Sequence, residues 1–321
     1  VIAAAVRVGM RITHLPVAYG RGGFNQQTLT EQRRFVCDAS DEFLKLVDEL
    51  RSRYRNHSTV QVGLAPHSIR AVDTQWLDAC SEAARQWSCP LHIHVCEQVR
   101  ELAECHAEHG LSPIELLAKH NVLGDQTTLV HATHLSDADI ELIARTNSIV
   151  GACPTTEANL GDGFLPSPAL LAHNIRIGLG TDSHAQIDLF QEARSVDMQQ
   201  RLLLQQRNPL ARFSGTTSSK QRTSDVLWPM MTTHGYQSLG LDSGQLTTGA
   251  LADFIVVDLS HPACLGCEPE DLLDTLILAG QPDVVKAVFV NGKPGLQDRV
   301  SPDEDQIRSR YLSTVKALAS S

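Results

Sequence analysis

The stretch Leu91-His92-Ile93-His94-Val95-Cys96-Glu97-Gln98 decides how the chain is read. Its first five residues have the apolar, β-branched texture of a strand, and alternate side chains of a strand share a face, so His92 and His94 point the same way. Glu97 lies just past the strand end. A neutral imidazole is a standard ligand for Zn²⁺, and a nearby carboxylate can carry protons to and from an activated water. Taken by itself, the stretch leaves a hydrogen-bonded core histidine as open as a ligand.

Working outward, three further strand ends carry chemistry: His131-Ala132-Thr133-His134, Cys153-Pro154-Thr155-Thr156-Glu157-Ala158-Asn159-Leu160-Gly161, and Gly180-Thr181-Asp182-Ser183-His184. Strands are expected at residues 11–17, 60–64, 91–95, 127–131, 148–153 and 175–179. Amphipathic helices separate them. Phe43, Leu44, Leu46, Val47 and Leu50 share one helical face, and a helix starting near Thr74 buries Leu77, Cys80 and Ala84. Ser112-Pro113-Ile114-Glu115 combines an N-cap serine, a proline at the first helical position and a reciprocal glutamate, and Ser136 with Asp139 opens a similar turn. Alternating strands and helices predict a parallel sheet, and chemistry gathered at strand C-termini predicts a (β/α)8 TIM-type barrel, an α/β fold whose sites lie on that face. A doubly wound sheet is the alternative, but neither a GxGxxG motif nor a P-loop supports it. His, Glu, His and Asp on successive strand ends are hard to explain by core packing. A buried Asp182 would need a cation or several donors.

The chain has 321 residues, 42% hydrophobic, with 27 Lys+Arg against 37 Asp+Glu and a net charge of −10. That acidic balance, with no basic block, argues against a nucleic-acid partner. No apolar run approaches the ~18 residues that cross a bilayer, which argues against a membrane partner. Cys37, Cys80, Cys89, Cys96, Cys105, Cys153, Cys264 and Cys267 are irregularly spaced, as reduced thiols of a cytoplasmic protein would be. Cys264-Leu-Gly-Cys267 lacks the second pair a zinc ribbon needs. Arg51, Arg53 and Arg55, near a helix end, are expected on a solvated face. From Gly240 the texture changes to short strands joined by turn residues, at residues 240–246, 249–258 and 284–290, with Asn291-Gly292 as a hairpin signal. A division into a hydrolase-type barrel at 1–239 and a small β unit at 240–321 follows. A last helix, capped by Ser301-Pro302-Asp303-Glu304, has Ile307, Tyr311, Val315 and Leu318 on one face.

On these residues the chain resembles the amidohydrolase superfamily, its aminohydrolase (deaminase) branch, and within that branch the formimidoylglutamate deiminases. The branch-level likeness lies in His94-x-x-Glu97, in Val130-His131-Ala132-Thr133-His134-Leu135-Ser136, in Gly180-Thr181-Asp182-Ser183 and in Gly249-x-Leu251-Ala252-Asp253-Phe254. The finer likeness lies in Ala65-Pro66-His67-Ser68-Ile69-Arg70-Ala71-Val72, in residues 92–98, and in residues 153–163, where related deaminases usually differ at the glutamate after Cys-Pro. The resemblance implies a metal-dependent hydrolase of C–N bonds in linear amidines. His94 and Asp182 would be ligands of a single zinc, His131 would polarise the reacting group, and Glu97 and Asp182 would shuttle protons. His67 and Arg70 would hold the carboxylates of a small acidic substrate, for which a planar arginine fork is apt. His92 and His134 would stand behind the site, with His184 undecided.

The implied reaction is zinc-dependent deimination of N-formimino-L-glutamate to N-formyl-L-glutamate and ammonia, a step of histidine degradation, by an enzyme that is a homodimer by analogy. A deaminase acting on a purine or another cyclic amidine is the alternative. The superfamily also binds metal through a His-x-His pair on its first barrel strand. The only such pair here, His92/His94, occupies the fifth-strand position. The opening residues VIAAAVRVGMRI read as the tail of a helix entering a strand. The first two βα units, the first-strand pair and the opening strands of a small β-sandwich are therefore expected upstream of Val1. On that expectation the chain as given has two of four protein ligands and is inactive, and the function is that of its parent enzyme.

Overall fold

In the computed structural model, which describes residues 1–215 and 221–319, strands and helices alternate over most of the chain. They run α1 (Ile2–Arg7), β1 (Ile12–His14), β2 (Val17–Ala18), α2 (Ser40–Tyr54), β3 (Val60–Val62), β4 (Ala65–Pro66), α3 (Thr74–Trp87), β5 (Leu91–Val95), α4 (Val99–His109), α5 (Pro113–Lys119), β6 (Thr127–His131) and α6 (Asp137–Thr146). Then come β7 (Ile149–Ala152), α7 (Pro154–Leu160), α8 (Ser167–Ala172), β8 (Ile177–Leu179), α9 (Leu189–Leu204), α10 (Thr223–Met231) and α11 (Thr233–Ser238). The chain closes with β9 (Phe254–Val257), α12 (Leu272–Ala279), β10 (Val285–Val290), β11 (Lys293–Leu296) and α13 (Glu304–Ala319).

Strands β5, β6, β7 and β8 form one parallel sheet in chain order. β1 pairs with β3 and β2 with β4, again in parallel, and single bridges at Leu64–Leu91 and Ser68–His94 carry the β3/β4 segment onto β5. Six parallel strand positions therefore follow one another in sequence order, as expected. Among the described residues the outer sides of β1/β2 and of β8 have no strand partner, so the sheet is open rather than closed into a ring of eight. The strands expected at 11–17 and 60–64 are each broken in two. Pro16 has no N–H to give to a ladder. At Gly63 a Cβ would lie 2.4 Å from the Pro90 carbonyl, the same oxygen that accepts the Leu64 N–H, yet the Gly63, Ala65 and His67 N–H groups bond in turn to the His14, Pro16 and Ala18 carbonyls, so the two segments stay paired across the break.

Helix starts follow the local chemistry. Ser112 Oγ accepts from the Glu115 N–H at 3.1 Å while the Glu115 carboxylate accepts from the Ser112 N–H at 2.7 Å. Ser136 and Asp139 repeat the reciprocal cap, and Ser112 Oγ donates to Asp139 Oδ1 at 2.6 Å, tying α5 to α6. The core lies between the sheet and these helices. Leu64, Leu77, Leu91, Ile93, Ile114, Leu117, Leu129, Ile143 and Ile177 are buried in it, each worth roughly 1.5–3 kcal/mol of apolar transfer. Arg51 departs from its expected solvated role. It donates to the Val62 and Trp87 carbonyls and lies over the Trp87 ring at 5.0 Å, because the ends of β3 and α3 leave those oxygens without donors. Arg53 and Arg55 are exposed.

Strands β9, β10 and β11 form an antiparallel sheet with β10 in the centre, and Asn291-Gly292 makes the expected turn. Within 240–258 only Phe254–Val257 is a strand, since the stretch before it runs in turns and Gly244 takes a φ of +90° that no strand continues. Asp253 joins the two sheets. It accepts two hydrogen bonds from Arg11 at 2.5 and 3.0 Å, one from Tyr236 Oη at 2.9 Å and one from the Asn291 N–H at 2.7 Å. Burial works against its charge, but these donors outweigh it and hold the carboxyl below its ordinary range. On α13, Ile307, Tyr311 and Val315 form the expected apolar face, and that face is exposed. No helix among the described residues is long and apolar enough to cross a membrane.

Candidate active site

The C-terminal ends of β4, β5, β6 and β8 converge, and three of them break into the left-handed region. Cys96, His131, Ala132 and Asp182 have φ values of +53°, +72°, +51° and +40°. Each such residue costs on the order of 1–3 kcal/mol, and strain of this kind collects where side chains must be aimed. The Ala132 N–H bonds to the Val95 carbonyl and the His134 N–H to the Cys96 carbonyl, each at 3.0 Å, so the turns after β5 and β6 hold one another.

Three imidazoles stand in a row across these ends, His67 to His94 at 4.9 Å and His94 to His131 at 5.5 Å between ring centres. His94 Nδ1 donates to the His67 carbonyl at 2.7 Å, so the Nε2 lone pair is left free. Burial, reinforced by His131, lowers the His94 pKa and keeps the ring neutral. His67 is pushed down to about 4 by burial and by the neighbouring His94 and Arg70. Its Nδ1 lies 3.0 Å from Ser68 Oγ, and the Tyr19 ring meets it edge-on at 5.1 Å.

His131 is wholly buried among carboxylates. Its Nε2 lies 3.8 Å from Glu97 Oε1 and 3.9 Å from Asp182 Oδ2, and its Nδ1 lies 3.4 Å from Glu157 Oε1. Burial opposes the cation, but the Glu157 bond and the charges of Glu97, Glu157 and Asp182 outweigh it and raise the pKa. Arg70 Nη2 donates to Glu97 Oε2 at 2.7 Å, and Arg70 Nε lies 3.9 Å from Glu101 Oε2. The six residues expected at the site, His67, Arg70, His94, Glu97, His131 and Asp182, are thus linked through neighbouring contacts.

Glu101 was not foreseen. It is buried on the first turn of α4 and accepts from the Cys96 N–H at 3.1 Å and the Glu97 N–H at 3.2 Å, while burial raises its pKa to about 7. The signal available was its position four residues after Glu97, one helical turn on. Gln98 was also passed over. Its Nε2 donates to Asp162 Oδ1 at 3.1 Å, and His134 Nε2 donates to the Asp162 carbonyl at 2.7 Å, fastening the 161–163 loop over the strand ends. His92 Nε2 donates to the Ser238 carbonyl at 2.7 Å, and His184 is exposed in the turn after Asp182. A cleft beside the site is lined by Tyr19, Gln32, His67, Arg70, Gln98 and Glu101.

Among the described residues, ligand atoms of His131, Cys153 and Asp182 lie within 4.8 Å of one another. Cys153 was not among the expected ligands. Its thiol is buried, and burial together with Glu157, Asp182 and other carboxylates pushes its pKa well up, which keeps the sulfur protonated. Asp182 is the member of this group that the sequence also nominated as a ligand, but it is exposed rather than buried as expected, because it stands in the open turn after β8; His94, the other expected ligand, lies outside the group and stacks on His131.

The chain is 34% identical over 318 residues to the formimidoylglutamate deiminase of Pseudomonas aeruginosa, an alignment covering 98% of this chain and 68% of that protein. Among solved structures it is similar to an amidohydrolase from Brucella melitensis, with a TM-score of 0.89 and 33% identity over 99% of this chain and 68% of that one. It shares its fold with an adenosine deaminase from Xanthomonas campestris solved with bound zinc, at a TM-score of 0.83 and 23% identity over 99% of this chain and 69% of that one. The amidohydrolase family model matches residues 3–295, and with the deiminase likeness this places the chain in the amidohydrolase family, as a hydrolase acting on C–N bonds.

Proposed function

We propose that the six parallel strand positions belong to a (β/α)8 barrel whose rim hydrolyses the formimino group of N-formimino-L-glutamate, releasing ammonia and N-formyl-L-glutamate. Residues 240–321 are read as a separate small unit beside it. The observation that carries the substrate assignment is Arg70, a guanidinium held 2.7 Å from the carboxylate of Glu97 beside His67. One of its five N–H donors is used on Glu97, which leaves others for a substrate carboxylate next to the proton-transferring group.

The residues fit part of a zinc site. His94 is neutral with Nε2 free because Nδ1 is committed to a carbonyl, and Asp182 supplies a partly exposed carboxylate 3.9 Å from the His131 ring on which His94 stacks, a nitrogen and an oxygen donor of the four that ion takes. Bound there, zinc would acidify water so that it attacks at neutral pH. Asp182 takes a water proton as oxygen adds to the imine carbon, and Glu97, across His131, relays the two protons of the water in turn to the nitrogen, so that the C–N bond breaks to leave the formyl carbonyl and ammonia. His131 holds the reacting group between them. His67 and Arg70 fix the substrate's acidic end, so that orientation comes from groups away from the bond that breaks.

The test measures zinc content and ammonia release from N-formimino-L-glutamate and from a purine nucleoside. In a form of the protein that is active, ammonia is expected from the first, and Arg70→Gln should raise KM for it by about ten- to a hundredfold, the worth of a hydrogen bond to a charged group. Preference for the nucleoside, or an unchanged KM in Arg70→Gln, would overturn the assignment. If zinc binds and no ammonia is released, the same assay on the chain extended upstream by the corresponding segment of the Pseudomonas relative decides between an enzyme and an inert scaffold.

A further inference from the structure

We propose that Glu157 is the positioning residue of His131, and that its carboxylate holds the proton of the neutral ring on Nδ1 so that Nε2 faces Glu97 and Asp182 as an acceptor. Glu157 sits in the first two turns of α7, directly after β7, and has no exposed surface. Its Oε1 accepts from the Cys153 N–H at 2.9 Å and lies 3.4 Å from His131 Nδ1, while Oε2 is buried with no hydrogen-bond partner. A buried carboxylate with one oxygen unserved is expensive. Capping the Cys153 amide does not require that expense, because the oxygen of a glutamine would accept the same N–H. The charge has a reason only on the side where the ring lies.

The competing pull is visible in the same geometry. Nε2 is flanked by two carboxylates, at 3.8 Å from Glu97 and 3.9 Å from Asp182, and both attract a proton to it. A ring protonated at Nε2 could not accept a hydrogen bond from the reacting group there. Glu157, closer at 3.4 Å and on the opposite nitrogen, tips the tautomer the other way. The helix that carries Glu157 is also anchored on both sides of the preceding turn. Thr155, on the first turn of α7, bonds through N–H and Oγ1 to the buried Glu192, and Thr156 Oγ1 accepts from the Ser183 N–H at 3.2 Å, fixing α7 to the end of β8.

The experiment reads the ring nitrogens of His131 by ¹⁵N NMR in the protein as purified, at a pH where the ring is neutral, with His131→Asn to identify the signal. Wild type should show the Nδ1–H tautomer. Glu157→Leu, which keeps the volume and removes the acceptor, should move the ring to Nε2–H, and Glu157→Gln, which keeps the Cys153 cap, should give a mixture. An Nε2–H ring in wild type, or an unchanged ring in a folded Glu157→Leu or in Glu157→Gln, would overturn the proposal. The consequence for turnover rests on the function proposed above, whereas the tautomer does not. In an active form kcat should fall about a hundredfold, the usual cost of misplacing the reacting group, with KM within about twofold. A tautomer that shifts while kcat stays constant would keep Glu157 as the positioning residue and remove His131 from the reaction.

Discussion

At the end of β5 the chain runs through Cys96 and Glu97 into α4, and at the end of β7 it runs through Cys153 and Pro154 into α7. In both places a strand-end amide would be buried without a partner, and in both a buried glutamate four or five residues on folds back to accept it. The two glutamates differ in how completely they are served. Glu101 uses both oxygens on backbone amides and has Arg70 at 3.9 Å. Glu157 uses one oxygen, on an amide and a histidine, and leaves the other bare. A fully bonded buried carboxylate holds a turn, and through it the Glu97 side chain. One left half-served holds a charge in place for a neighbour.

The largest expected effect comes from breaking the complete case. Glu101→Leu strips the acceptor from two buried amides and removes a carboxylate from beside Arg70, so denaturant unfolding should report a loss of about 2–5 kcal/mol, each orphaned amide costing about 1–3. Glu157→Leu orphans one amide and should lose roughly half as much. Equal losses would mean that the bare oxygen of Glu157 has a structural partner and that the contrast between the two turns is empty.

A smaller effect sharpens the same contrast through pH. Burial raises the Glu101 pKa from 4.5 to about 7, with Arg70 and the two amides opposing the rise. The folded state therefore holds this proton more tightly than the unfolded state does. The contribution is fully present below pH 4.5 and is lost as pH rises through about 7. Between those limits the stability of wild type relative to Glu101→Gln should decline by no more than about 3 kcal/mol, the equivalent of that shift. A difference that grew with pH would show that the carboxylate, not the acid, is the form the turn prefers.

How far the sequence carried the reading follows the range of the interactions involved. β5 and β6 were placed to the residue, because strand alternation and the capping chemistry of Ser112 and Ser136 are local. The outer strands were not, since Pro16 interrupts one and the close approach of Pro90, distant in sequence from Gly63, interrupts the other. The grouping of the site was legible where charged or imidazole side chains stand at successive strand ends, as for Glu97 and His131, which lie 3.8 Å apart. Glu101 was not, because a glutamate on the first turn of an amphipathic helix reads as a solvated charge until the strand-end amides it serves are in view. The residues of 240–253 misled for a related reason: their apolar content suggests strands, and only the turn geometry at Gly244 shows that they run between elements.

The smallest effect tests whether the strand-end comparison is particular to the active rim. Asp253 is also a well-bonded, largely buried carboxylate, but it lies where Arg11 of the parallel sheet meets the C-terminal sheet. Its carboxyl is held below the ordinary range, so its contribution is present above about pH 4 and is lost as pH falls below that value. Asp253→Asn keeps the shape and gives up the charge, and unfolding at pH 7 should show a loss of about 1–2 kcal/mol that shrinks towards pH 3. Ammonia release per folded molecule and the His131 tautomer should both be unchanged. A shift in either would show that the two sheets are coupled through Arg11 and that positioning at the rim extends beyond the turns of β5 and β7.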